Sequence, residues 1–291
     1  MNKQSKIMDF FLKLRLDSIA WSFRRLHVPV EKNALVLEVG SGGNPYFRSN
    51  VLIDAYYDTR ERHYAKLVYD RPTVLGFVEN LPFKDNSFDF VIASHVLEHS
   101  KDPEKFLSEL QRVARGGYIE VPDAFFERLA CYLDHRLEIT DISDELIIRK
   151  KTDYIQDKEL RDMFVNKASS IFGKWVAKYP FKFNVRYYWT KENGGIKYKI
   201  LNPEYEFDWE SPKTEKIQRK PNVVAKIKTN VLKLARKYLS QNSRNQNIEL
   251  KHLIMCPKCK TSNFEENIQS LTCTECGKEY EIVDGSIIKF N

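Results

Sequence analysis

The chain has no apolar run longer than about half a dozen residues, which excludes a membrane-spanning helix of roughly 18 or more. A secretion signal is also missing: Met1 to Phe23 scatters charges among its apolar positions and offers no small-residue cleavage site. A cytoplasmic location is the expectation. Cysteine is scarce, five in 291 residues, and four fall in pairs, Cys256/Cys259 and Cys273/Cys276. Two-residue gaps separated by 13 residues, without a secretion signal, read as metal ligands rather than disulfides. Cys131 stands alone and reads as a buried apolar residue. Acids are nearly absent from Ser211 to Lys251, which holds 11 Lys plus Arg against two acids, a local balance of +9. The whole chain carries +7, so the remainder is close to −2 and an electrostatic partner would meet that segment.

What is present starts with a strand-like run, Leu35 to Val39, that empties into Gly40-Ser41-Gly42-Gly43-Asn44-Pro45. Apolar residues on both parities suit a strand buried on both faces of a parallel sheet. Glycines then let the backbone turn and approach a ligand without Cβ clashes. A second run, Val51 to Ile53, ends on Asp54, where a carboxylate can accept both hydroxyl protons of a ribose. Glu38, just before the turn, suits a cationic or amine-bearing ligand better than a pyrophosphate.

Further strands are expected at Val74 to Val78, Asp89 to Ala93 and Tyr118 to Val121. Asp102-Pro103-Glu104 has the cap, proline and acid of a helix start, and Phe106, Leu107, Leu110 and Val113 form its apolar stripe. Strands alternating with such connections argue for a parallel α/β sheet, with ligands at the carboxyl ends of the strands. Phe10, Phe11, Leu14, Ile19, Phe23 and Leu26 fall near helical spacing and suggest a helix docked on that domain. From Asp123 to about residue 181 the pattern becomes aromatic and charged with no clear strand, and it reads as a helical cap. Phe183 to Trp189 and Ile196 to Leu201, joined by Lys191-Glu192-Asn193-Gly194-Gly195, read as a hairpin that closes the sheet antiparallel. The expected organisation is a first domain over 1–210 with the cap inserted, a basic linker with an amphipathic helix over 211–250, and a separate module over 251–291.

These residues resemble the class I S-adenosylmethionine-dependent methyltransferases of the small-molecule type. The resemblance rests on Glu38 to Gly43, Asp54, Leu81-Pro82-Phe83 to Val91, Ser94-His95-Val96-Leu97-Glu98-His99 and Arg115-Gly116-Gly117 to Pro122. It implies a Rossmann-like sheet and places S-adenosylmethionine against Glu38, Gly40, Ser41, Gly42, Gly43, Asp54, Glu79, Asn80, Leu81, Ser94 and His95. There are three departures. Only ten residues separate Gly43 from Asp54, so the family's first helix is expected to be short or absent. Phe77 stands where the family often carries an aspartate for adenine, which leaves adenine to backbone groups, Glu79 or stacking. No Asp/Asn-Pro-Pro-Tyr/Phe motif follows the fourth strand, which counts against methylation of nucleobase amines. The C-terminal module resembles the zinc-ribbon protein that activates RNA and protein methyltransferases, with Cys256, Cys259, Cys273 and Cys276 implied as ligands of a structural Zn²⁺.

Methyl transfer needs alignment and, for an alcohol acceptor, removal of a proton, for which His95, His99 and His135 are the candidates. Three functions stay open. One is O-methylation of a sugar, a glycan or another small molecule, with aromatic residues of the cap as the acceptor surface. The second is RNA methylation, with the 211–251 segment and the ribbon as the docking surface. The third is a non-enzymatic module whose basic helix meets an anionic surface or a protein.

Overall fold

A computed structural model describes residues 3–59, 65–206, 231–232 and 234–291. Its centre is a parallel sheet of short, fully buried strands: β1 (Val36–Val39), β2 (Val51–Asp54), β3 (Thr73–Leu75), β4 (Phe90–Ser94) and β5 (Gly116–Pro122), in the spatial order β3-β2-β1-β4-β5. Continuous aliphatic runs such as Val-Leu-Glu-Val and Phe-Val-Ile-Ala make such strands, because both sheet faces are covered. Helix α3 (Pro103–Val113) supplies one cover. It buries Phe106, Leu107, Leu110 and Val113, and its Asp102 cap accepts from Lys105 N at 2.9 Å. Each such fully buried side chain contributes on the order of 1.5–3 kcal/mol. Gly117 allows β5 to close on its neighbour, since a Cβ there would lie 2.6 Å from the Trp189 indole nitrogen and 2.8 Å from Val91 O.

No helix joins β1 to β2, as the ten-residue interval predicts. The loop 44–49 takes its place, and the end of the basic segment packs behind it. Asn50 Nδ2 donates to Gln241 (3.0 Å) and Asn245 (2.8 Å), and Arg71 donates to Ser240 Oγ at 3.0 Å. Arg244 donates to the carbonyls of Lys32, Asn33 and Ala34, and Arg236 to Gly43 O at 3.4 Å. The described end of the segment thus uses two of its cations within the molecule. Most of the expected amphipathic helix and of the linker, residues 207–230 and 233, lies outside the described residues.

Four expectations are corrected. The cap is not all helical: β6 (Leu137–Ile142) and β7 (Glu145–Lys150) form an antiparallel pair inside it. Their two-residue turn, Ser143-Asp144, takes positive φ at both positions, a hairpin geometry usually announced by Asn-Gly and here carried by less telling residues. Secondly, the hairpin after the cap does not form. β8 (Asn184–Thr190) does close the sheet antiparallel against β5. β9 (Tyr198–Ile200), however, leaves it and runs parallel to β7, giving a second sheet in the order β6-β7-β9. After Gly194 and Gly195, Ile196 N donates to the Gln111 side chain and Lys197 N to the Tyr187 hydroxyl, so side chains replace the ladder that would hold β9 to β8.

The third correction concerns the N-terminal helix, which is two helices, α1 (Lys6–Lys13) and α2 (Asp17–Phe23). Arg15 at φ 57° breaks it, and Phe10 and Leu14 remain more than half exposed. Finally, the C-terminal strands are not a separate body. β10 (Phe264–Glu266), β11 (Ser270–Cys273) and β12 (Glu279–Val283) form an antiparallel set, and β13 (Ile287–Lys289) joins it to the main sheet by running parallel to β3. Ile254, Leu271 and Tyr280 share one core with Leu37, Val91 and Phe106.

Candidate functional site

The turn after β1 adopts the geometry its glycines permit: Gly40 and Gly42 have φ of 61° and 59°. A Cβ on Gly40 would sit 2.2 Å from Val96 Cγ2, so glycine is also what lets the 94–99 loop close on the turn. Asp54, at the end of β2, accepts from Gly42 N at 2.9 Å and Tyr56 N at 3.2 Å. Ser41 Oγ is buried without a hydrogen-bond partner, a polar atom left over where a ligand is expected. Beyond Asp54, Tyr56 and Phe77 meet edge to face at 5.7 Å, each a little over 40% exposed. They form an aromatic wall at the ends of β2 and β3. Tyr56 escapes a motif-based reading because only the three-dimensional end of β3 brings Phe77 to it.

Other expected cofactor residues are engaged by the chain. Glu38 is buried and accepts from Tyr46 N (2.8 Å) and the Ser49 hydroxyl; burial pushes its carboxyl up against the pull of Arg25 and Ser49. It braces the 44–49 loop. Glu79 accepts from Ser100 Oγ (2.6 Å), Asn80 Oδ1 from Lys260 Nζ of the C-terminal module (2.9 Å), and Leu81 is buried with its N–H on Glu109 (2.7 Å). Gly43 lies under Lys66 O, and its carbonyl takes Arg236.

The loop after β4 is shared between two places. Val96 lies against Gly40, whereas His95, Glu98 and His99 line a cavity of about 440 Å³ with Phe126, Tyr132 and His135. All three candidate histidines therefore converge. His95, in the left-handed conformation at φ 57°, sits between two acids, 3.3 Å from Glu120 and 3.4 Å from Glu98. Burial pulls its pKa down, but hydrogen bonds to Glu120 and Glu98 outweigh this and push it up to about 10. At neutral pH it is an imidazolium, able to give a proton and not to take one.

Glu120, an acid inside an apolar strand, is the anchor that the motif reading missed. Fully buried, it accepts from Arg24 Nε (2.8 Å) and Nη2 (3.0 Å), Ser94 Oγ (3.1 Å) and the Tyr118 hydroxyl. Burial raises its pKa, and the hydrogen bonds from His95 and Arg24 overcome that to hold it far below the usual carboxylate range. A lone acid in Gly-Gly-Tyr-Ile-Glu-Val-Pro was the available signal.

In the C-terminal module the four cysteine thiols gather, with Cys256 and Cys276 Sγ 3.7 Å apart and Cys259 and Cys273 Sγ 3.5 Å apart. These separations are far beyond a disulfide and near the roughly 3.8 Å edge of a tetrahedron with 2.3 Å metal–sulfur bonds.

Among the described residues no helix is long and apolar enough to cross a membrane. An uncharacterized protein of Methanocaldococcus jannaschii is 32% identical over 99 residues, covering 32% of this chain and 44% of its own. The phthiotriol/phenolphthiotriol dimycocerosates methyltransferase of Mycobacterium tuberculosis is 36% identical over 104 residues, 32% of this chain and 37% of its own. The chain thus spans less than half the length of these curated relatives. Among solved structures, a possible histamine N-methyltransferase of Thermotoga maritima aligns with 23% identity over 41% of this chain and 57% of its own, at a TM-score of 0.28. Residues 37–120 match the family model described as a methyltransferase domain, and this stretch builds the parallel sheet β3-β2-β1-β4-β5, a Rossmann-like arrangement.

Proposed function

We propose that the chain transfers a methyl group from S-adenosylmethionine to an oxygen of a small-molecule acceptor, with a sugar or glycan hydroxyl the favoured class. The observation that carries this reading is the five-residue loop His95 to His99, which touches the glycine turn through Val96 and lines the aromatic cavity through His95, Glu98 and His99. Donor and acceptor sites would then share one wall. The bound cofactor would supply a methyl group on a sulfonium. Asp54 would hold its ribose, the Ser41 hydroxyl and the turn's backbone its amino-acid end, and Tyr56 with Phe77 its adenine face. Those residues fit it: an orphaned hydroxyl, a carboxylate at a strand end and two half-exposed rings lie around one turn.

His95 keeps the loop in place as a cation between Glu98 and Glu120. Proton removal therefore falls to His99 or His135, whose Nδ1 atoms are engaged elsewhere. In the ribbon, the four thiols would bind one structural zinc ion. The RNA alternative is less favoured, because Arg236 and Arg244 of the basic segment are spent on the chain's own carbonyls.

A labelled-methyl assay across glycan, small-molecule, RNA and protein fractions tests the proposal. Label in the carbohydrate or small-molecule fraction supports it, and label confined to RNA or protein refutes it. Calorimetry with the cofactor checks the donor site separately, and absence of heat with folded protein would sink it.

A further inference from the structure

We infer that Glu98, His99 and His135 form a second metal centre, open to the cavity, that takes one divalent first-row transition-metal ion. Ligand atoms from the three residues lie within 4.8 Å of one another. Metal–ligand bonds of about 2.1 Å put adjacent tetrahedral ligands about 3.4 Å apart, so binding an ion would draw the widest pair together by up to about 1.4 Å.

The tautomers point to the same conclusion. His99 Nδ1 lies 2.9 Å from the Asp134 carbonyl, which can only accept, so Nδ1 carries a proton and Nε2 is the atom open for a ligand bond in the neutral tautomer. His135 Nδ1 lies 2.7 Å from Glu127 Oε2. Glu127 pairs with the buried Lys151 Nζ at 3.0 Å and accepts from Tyr132 N at 3.1 Å, so it faces this Nδ1 as an acceptor. Two imidazoles with Nδ1–H fixed by a carbonyl and a carboxylate are prepared as Nε2 ligands, an outer-shell arrangement typical of metal-binding histidines. Their rings stand at 86° to each other with centroids 4.8 Å apart, an angle that suits two ligands on adjacent positions of one ion.

Glu98 supplies the observation a core histidine pair would not need. Its side chain is 3% exposed; Oε1 faces the His95 imidazolium at 3.4 Å, and Oε2 has no hydrogen-bond partner. A buried carboxylate normally collects two or more donors, and an oxygen left without one carries an uncompensated desolvation cost. A cation held with His99 and His135 meets that need. Two histidines and one carboxylate, neutral nitrogens with one anionic oxygen, suit zinc, iron(II), cobalt(II) or manganese(II) and leave coordination positions vacant. Those positions face the cavity that the proposed function gives to the acceptor, and an ion there would take up the two Nε2 atoms otherwise open for proton removal, so use of the ion in methyl transfer rests on that reading. Its binding does not.

The test uses tag-free full-length protein whose cysteine site is filled with zinc, titrated with Co²⁺ without cofactor or acceptor. The expected result is one Co²⁺ per chain with weak visible d–d bands and no thiolate-to-metal band in the near ultraviolet. His99→Ala and His135→Ala are each expected to weaken uptake by tenfold or more, and Glu127→Gln by about 10- to 100-fold through loss of the outer-shell carboxylate. No uptake, uptake with a thiolate band, or uptake undiminished in both histidine variants overturns the inference. Should the histidine variants fail to fold, substoichiometric Mn²⁺ added to the unaltered protein decides. Selective broadening of the His99 and His135 ring-proton resonances supports the centre, and broadening that spares them overturns it. Because no methyl transfer is read, failure here is distinct from failure of the proposed activity.

Discussion

The two clusters that can hold an ion differ in how they are built. Cys256, Cys259, Cys273 and Cys276 come from two short knuckles of one module and close on themselves. Glu98, His99 and His135 come from a loop after β4 and from the cap, and they line a cavity. Four soft anionic ligands leave no vacant position and suit a role in folding; two nitrogens and an oxygen leave vacancies and suit chemistry. The completeness of the ligand set and what lies beside it would separate a staple from a reactive centre.

The largest effect that would break this contrast is loss of the cysteine site. A small ribbon has little core of its own, and structural zinc typically contributes on the order of 10 kcal/mol to such modules. Cys273→Ser is expected to abolish tight zinc binding, read by elemental analysis, and to unfold β10 to β13. Because β13 pairs with β3 and Lys260 holds Asn80, the damage should reach the end of β3 and the 78–80 turn. Hydrogen exchange would then show loss of protection at 73–80 as well as in the ribbon. Protection lost in the ribbon alone would show that the two share a sheet without sharing stability.

Second in size is Glu120→Gln. It leaves Arg24 without its anion and His95 with Glu98 alone, and breaking a buried pair by removing one partner costs about 3–5 kcal/mol. Urea denaturation should show a loss of that order, whereas a change under 1 kcal/mol would mean that water reaches Arg24 and His95 in place of the carboxylate.

The same network fixes a pH dependence, opposite for its two kinds of group. Glu120 has a depressed native pKa, so its contribution is present above the unfolded carboxylate pKa of about 4.3 and is lost as the pH falls below it. His95 is raised to about 10, so its contribution is complete below the unfolded value of about 6.5 and is lost as the pH rises from there through about 10. Thermal melts should therefore be highest between roughly pH 5 and 6.5 and decline on both sides. His95→Gln should flatten the alkaline limb; an unchanged limb would remove His95 as its cause.

The cysteine cluster was legible because the physics that makes it is local, and C-x-x-C spacing needs no knowledge of topology. The glycine turn, Asp54 and the missing helix after Pro45 were legible for the same reason. Glu98 and His99 were visible as neighbours, yet their relation to His135 depends on β6 and β7 folding the cap back over β4. That hairpin escaped notice because Ser143-Asp144 is a weak turn signal. β9 was misplaced because Gly194-Gly195 announces a turn without saying which strand the chain will meet. Side-chain bonds from Gln111 and Tyr187 decide that, and both are far away in sequence or on another face.

The smallest prediction asks whether the cavity wall is as separable as the contrast implies. Asp102 caps α3 just beyond the His95 to His99 loop and accepts from Lys105 N. Asp102→Ala should cost about 1 kcal/mol, the usual worth of a side-chain cap. That lowers the melting temperature by only a few degrees while leaving the zinc content unchanged. The helix buries its stripe through Phe106, Leu107, Leu110 and Val113, all beyond the first turn, so fraying at the cap leaves that core in place. The loop is nearer: Ser100 Oγ accepts from Asp102 N and donates to Glu79. If Asp102→Ala weakened Co²⁺ uptake at Glu98, His99 and His135 as much as it lowered stability, the reactive centre would depend on the start of α3. Unchanged uptake would place its rigidity in the loop and the cap alone.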